Sequence, residues 1–257
     1  ISNSILNADV FISIPKLKAH HKVGATLNLK GLVGIASNKN YLVHWRIGFP
    51  GSGGDEFPRA HSRADYVRLA ARHLACDLLP ESWHLALRRR LKGTVVDRVF
   101  ETRKLSSHEN YRGAWDGNDT TWRMTADLYN LFVRDAADWR RRSGREIRFF
   151  SVIDGVVAGE GDGPFCPLSR PAGVLLAGED LLLTDCVAVR LMDYDIDPIR
   201  YLRHLLRSEM IERWHFDVVR DGVAECAESF FDEDRRYLRF VPPSGWPHLA
   251  MHEEGER

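Results

Sequence analysis

With 257 residues, 44% of them apolar and 28% charged, the chain can bury a sizeable core and has the balance of an ordinary globular protein. Its 36 basic and 36 acidic side chains cancel, which argues against nucleic acid as a partner, and no apolar run approaches the roughly 18 residues needed to span a bilayer. The four cysteines (Cys76, Cys166, Cys186, Cys226) form no C-x-x-C pair and no secretory signal is present, so buried thiols in a reducing cytoplasm are expected.

In chain order, residues 8–14 form a β-branched and aromatic run stopped by Pro15 and read as a buried strand. Residues 23–35 read as a helix with glycine breaks. Residues 38–58 read as a loop whose Gly51-Ser52-Gly53-Gly54 tip is either mobile or wrapped on a ligand. Helical spacing returns at 62–79, ends at Pro80, and resumes in a basic helix over 81–91 and a short segment over 95–103. Residues 119–142 carry the plainest amphipathic helix, with Asn118 as its cap, Trp122, Leu128, Tyr129, Phe132 and Trp139 on its apolar face, and Gly144 as its stop.

A second strand is expected over 147–153, ending at Asp154, and a third over 173–177. Residues 179–192 read as a buried helix. Asp197-Pro198 opens another that runs to Leu206. A last strand covers 216–219, and the tail over 242–257 is expected to be loose. Strands alternating with helices indicate one α/β domain with a mainly parallel sheet flanked by helices, the stretch over 62–144 forming a helical insertion or lid.

Four clusters carry candidate chemistry. Lys16, Lys18 and His20 follow the first strand at alternating positions, with His21 adjacent and Thr26, Asn28 and Lys30 close behind; His44 is a further candidate. Lysines hold anions as point charges and histidine moves protons near neutrality. Gly159-Glu160-Gly161-Asp162-Gly163 is an acidic glycine-spaced loop, with Glu160 and Asp162 as ligands for a divalent cation such as Mg²⁺ or Glu160 as a base. Asn118 and Arg123 sit at a helix start that suits an anion, with Trp115 and Trp122 close by in sequence. Asp154 ends a strand, the favoured place for a functional carboxylate. Asp185 stands in an apolar helix, where it either faces a polar site or caps nearby backbone.

These same stretches resemble the family catalogued as domain of unknown function 362. The resemblance rests on Pro15-Lys16-Leu17-Lys18-Ala19-His20 with Thr26 through Gly34, on Gly117-Asn118-Asp119-Thr120 with Trp122-Arg123, and on a third block. That block runs from Val152-Ile153-Asp154-Gly155 through Gly159 to Pro164, Leu175 to Gly178, Asp180, Asp185, and Asp197-Pro198 with Tyr201-Leu202. The family has no settled general activity. It is linked to iron–sulfur chemistry because some members carry a ferredoxin-like domain, for which this chain lacks the cysteines. The family's N-terminal strand and Lys-Pro-Asn element are not in this sequence, which implies a fragment.

The combined expectation is a bacterial cytoplasmic enzyme acting on a small anionic substrate or cofactor precursor. Lys16, Lys18, Lys30, Asn118 and Arg123 would bind the anion, and His20, Asp154 and Glu160 would do the chemistry. The alternative is a non-catalytic accessory or electron-transfer subunit that meets an iron–sulfur partner through the helical insertion.

Overall fold

The computed structural model describes residues 1–60, 112–209 and 215–251, together with residues 63, 66, 67, 69 and 70. The helix expected over 62–79 lies largely outside these residues. The segments over 81–91 and 95–103, Cys76 and the last six residues lie wholly outside them.

The chain has the expected α/β fold, a mixed sheet flanked by helices. After a short helix α1 (Asn3–Leu6), strands β1 (Val10–Ser13) and β2 (Lys16–His20) lie end to end along one edge of the long strand β4 (Arg148–Glu160), both parallel to it. Ser13 pairs with Ser151 and Lys16 with Asp154. Pro15, which has no N–H to give to a ladder, marks the joint between them. Strand β5 (Leu168–Gly178) runs antiparallel on the other edge of β4, and β3 (Gly24–Ala25) folds back on β2.

Two expectations change here. The basic segment is not a loop after a strand but is itself a strand, and Asp154 lies mid-strand because β4 runs on to Glu160. Alternation along β2 sends Leu17 and Ala19, both fully buried, into the core and turns Lys16, Lys18 and His20 to the other side.

Helix α2 (Leu27–Gly31) continues into a 3-10 turn, Leu32–Ile35. Helix α3 (Thr121–Tyr129) passes through a π-helical stretch, Asn130–Ala136, into α4 (Ala137–Arg142). Phe132 is fully buried, so this part of the expected insertion belongs to the core, although Trp139 is exposed. Asn118 caps α3 as expected, its side-chain oxygen accepting from the Thr120 and Thr121 amides at 3.1 and 2.8 Å.

Helix α5 (Leu181–Leu191) is capped by Asp180, whose side chain accepts from the Leu183 amide. Helix α6 (Arg200–Ser208) starts after Ile199, so Asp197-Pro198 precedes it without capping it. The last expected strand is β6 (Asp217–Arg220), and it forms a hairpin with β7 (Val223–Cys226) ahead of a short helix α7 (Ala227–Phe230).

The tail is not loose over 242–251. Trp246 and Leu249 are buried, the Trp246 indole donates to the His21 carbonyl at 2.8 Å, and Tyr194 bridges to Ala250. Two of the described thiols also differ from expectation, since Cys166 and Cys226 are exposed while Cys186 is buried. Among the described residues no helix is long and apolar enough to cross a membrane.

One buried carboxylate ties these layers together. Asp185 on α5 is wholly inaccessible and accepts three hydrogen bonds at the start of α2: from the Asn28 amide at 2.9 Å, the Asn28 side chain at 2.8 Å and the Leu29 amide at 2.9 Å. The Asn28 side-chain oxygen accepts in turn from the Ser151 hydroxyl of β4 at 3.0 Å. Of the two readings open for Asp185, the cap is the one realised. It also holds Leu27 at a φ of 42°, a left-handed value that costs an L-residue about 1 kcal/mol.

Burial pushes the Asp185 carboxyl up to about 7, against the pull of these hydrogen bonds. Removing it by Asp185→Ala strands three buried donors. The expected loss in urea denaturation at mildly acidic pH is roughly 3–5 kcal/mol. Because the folded pKa is raised, the stabilisation is complete below the ordinary carboxylate range. It shrinks as pH rises through about 7, so the gap between wild type and variant narrows over that window.

Candidate functional site

The convergence expected of the basic and acidic clusters is not what the fold produces. Lys16 and Asp154, side by side on β2 and β4, neutralise each other at 2.5 Å, both partly exposed. The bond from Lys16 holds the Asp154 carboxyl below its usual range. Glu160 is buried and bound to the Arg170 guanidinium at 3.1 Å and the Val241 amide at 3.0 Å. Asp162 accepts from the amide and hydroxyl of Ser244 at 2.8 and 2.9 Å. Both carboxylates therefore clasp the C-terminal segment to the sheet.

Gly163 in this loop serves close approach. A Cβ on Gly163 would fall 2.3 Å from the Ala19 carbonyl oxygen, and the Gly163 carbonyl accepts from the His21 amide at 2.8 Å. Glu160 and Asp162 do not fit the cation site expected of them. Among the described residues, no group of three or more His, Cys, Asp or Glu side chains is placed to hold a metal ion.

The two residues expected at the helix start are also committed elsewhere. The Asn118 side-chain nitrogen donates to the His44 and Gly113 carbonyls at 3.0 and 2.9 Å, leaving no donor for a ligand. Arg123 lies over Trp122 and pairs with Asp119 at 3.1 Å. Arg46 and Arg200 approach the same carboxylate at 3.4 Å.

What the fold does assemble is a cluster of basic side chains around Lys30. Lys30, carried by α2, is 7% exposed, and among the described residues no carboxylate lies within ion-pairing distance of its ammonium. Among the described residues its one polar contact is His44 Nε2, 3.5 Å away, at the long limit of a hydrogen bond. The His44 Nδ1 faces the Leu42 carbonyl at 2.8 Å. A carbonyl only accepts, so Nδ1 carries the proton and Nε2 turns its lone pair to Lys30.

On the strand side, His20 Nδ1 accepts from the Lys22 amide at 3.0 Å, which leaves Nε2 as the proton-bearing nitrogen of the neutral ring. Lys22 donates to the Arg112 carbonyl at 2.5 Å. Lys18 makes no ion pair among the described residues and adds its charge beside Lys30.

The electrostatics agree with this geometry. Burial, and then the charges of Lys22, Lys18 and Lys39, bring the Lys30 ammonium down to about 8. Burial does the same to Lys22, against the pull of Asp55. Burial and the Lys30 charge push His20 well below its ordinary value and lower His44 as well. His21, buried and beside Lys22, falls to about 4. A shift of this size on Lys30 amounts to about 3 kcal/mol of unfavourable charge burial.

Of the residues read from sequence, His20, Lys30 and Lys18 meet here with His44, while Lys16, Asp154, Glu160, Asp162, Asn118 and Arg123 do not. Lys22 was not singled out, though it extends the same run of basic residues. Asp55 and Glu56 were missed too, hidden in the loop whose tip was expected to be either mobile or wrapped on a ligand. Both are buried. Asp55 accepts from the Arg46 and Asp119 amides and the Thr120 hydroxyl, and Glu56 pairs with Arg112 at 3.1 Å, so the loop is wrapped on the protein itself.

The fold and this cluster define an α/β protein with a buried lysine that has no counter-ion among the described residues. The chain belongs to the family described as Domain of unknown function (DUF362), whose model matches residues 1–190, a span that holds every residue of the cluster and Asp185. No curated protein and no solved structure matches the chain.

Replacing the buried cation by an apolar side chain of similar shape, Lys30→Met, should raise ligand-free stability at neutral pH by roughly 1–3 kcal/mol in chemical denaturation. The folded pKa lies below the unfolded one. Wild type should therefore gain stability as pH climbs from about 8 towards 10.5, and Lys30→Met should lack that share of the gain.

Proposed function

We propose that this protein is a cytoplasmic, bacterial enzyme that binds a small anionic substrate or cofactor precursor at the cluster of Lys18, Lys22 and Lys30, with His20 and His44 moving protons. The observation that carries the reading is Lys30, an ammonium 7% exposed, with cations for neighbours and no acid in ion-pairing reach among the described residues. Burying an unpaired charge costs several kcal/mol and persists where a ligand supplies the missing partner. The histidines add to it. His20 offers an N–H and His44 a lone pair, both neutral at physiological pH, so one ring can donate a proton and the other accept one. The acidic half of the site expected from sequence plays no part in this reading.

The test is a thermal-shift series with inorganic phosphate, pyrophosphate and malonate on the full chain. A bound anion at about a hundred times its Kd stabilises the fold by roughly 2.7 kcal/mol, a rise in Tm of about 5–10 °C for a chain of this size. The rise should vanish in Lys30→Met and should weaken as pH passes about 8, where Lys30 loses its charge. Equal shifts in wild type and Lys30→Met would overturn the site. A purified protein that is brown, contains iron and responds to none of the anions would favour the accessory, electron-transfer reading.

A further inference from the structure

The cluster holds more than an anion site requires. A lysine that serves only as a positive charge is most effective when part of it meets solvent or an acid, as Lys16 does with Asp154. Lys30 has neither. Its nitrogen sits instead beside the lone pair of a neutral imidazole, 3.5 Å away, with other lysines close by. Burial, cationic neighbours and a nearby base together keep a lysine amine free to act as a nucleophile.

We propose that Lys30 is the covalent residue of the site, forming an imine with the carbonyl carbon of a small 2-oxo acid whose carboxylate is held by Lys18 and Lys22. The inference rests on the anion-binding reading above and deepens it by naming the substrate class.

The step balances without any redox partner. The neutral amine of Lys30 attacks the carbonyl carbon; a C–N bond forms, and the π pair of the C=O moves onto oxygen. The nitrogen gives a proton to His44 Nε2, and the oxygen takes one from His20 Nε2–H, yielding a carbinolamine. Protonation of its hydroxyl by the His44 imidazolium then releases water as the nitrogen lone pair closes the C=N bond, which leaves the imine protonated, and His20 Nε2 regains its proton from solvent. The imine nitrogen at Lys30 becomes the electron sink for bond-making or bond-breaking at the adjacent carbon. With its pKa brought to about 8, roughly one Lys30 in ten is free amine at pH 7, against about one in several thousand for an ordinary lysine.

The test is reductive trapping. The full chain is incubated with pyruvate and sodium cyanoborohydride near neutral pH, then digested and mapped by mass spectrometry. The expected product is one adduct, of pyruvate plus two hydrogens less water, on Lys30. Its yield should exceed that on the more exposed Lys16 and Lys39 by at least about tenfold. His44→Ala should slow its appearance without moving it to another lysine.

Because the map is read on wild type, the result does not depend on a Lys30 variant folding. Labelling spread evenly over the lysines, or an unmodified Lys30, would overturn the inference. If Lys30 stays unmodified while phosphate still stabilises wild type and not Lys30→Met, the anion site stands and only the covalent role falls. If neither is seen, both fall.

Discussion

The structure depends on the carboxylate of Asp185, which reaches from one helix to hold the first turn of another. Three buried donors at Asn28 and Leu29 have no other acceptor, and Leu27 is kept in a left-handed conformation beside them. Through the Asn28 oxygen the same contact reaches Ser151 on the central strand. A five-residue helix has little stability of its own. Pinned at its start in this way, it sets Lys30 one turn later, where the ammonium meets His44 and other cations.

The charges of the molecule are therefore sorted into two kinds. Lys16 with Asp154, Glu160 with Arg170, Arg190 with Asp193 and Glu56 with Arg112 are paired and hold strands, tail and loop in place. Lys30, Lys22 and Lys18 are not paired with acids among the described residues. The stability gained from the first set is what allows the second to be held together unfavourably, an arrangement characteristic of sites that wait for a ligand of opposite charge.

The alternation of strands and helices made the α/β class legible, as Asn118 before a threonine pair did for the cap of the third helix, because both follow from short-range patterns. Asp185 was legible as a problem, a charge in an apolar helix, but its partner lies 157 residues away and no local pattern names it. The lysines of β2 hid a second strand, since its apolar residues, Leu17 and Ala19, are only two.

The acidic glycine loop misled for a different reason. Glycines that expose amides to an ion and glycines that admit a neighbouring backbone look alike in sequence, and here Gly163 admits Ala19. Which lysine lost its acid was likewise beyond reach, because Lys16 and Lys30 differ only in what the fold brings beside them.

The most direct measurement of the central claim is an NMR pH titration of the Lys30 side chain, following its ¹⁵Nζ and ¹³Cε resonances with and without phosphate. The account expects an inflection near 8 in the free protein, displaced upward when the anion binds. An inflection in the ordinary lysine range above 10, unmoved by phosphate, would mean that the ammonium is solvated or already paired, and would contradict it.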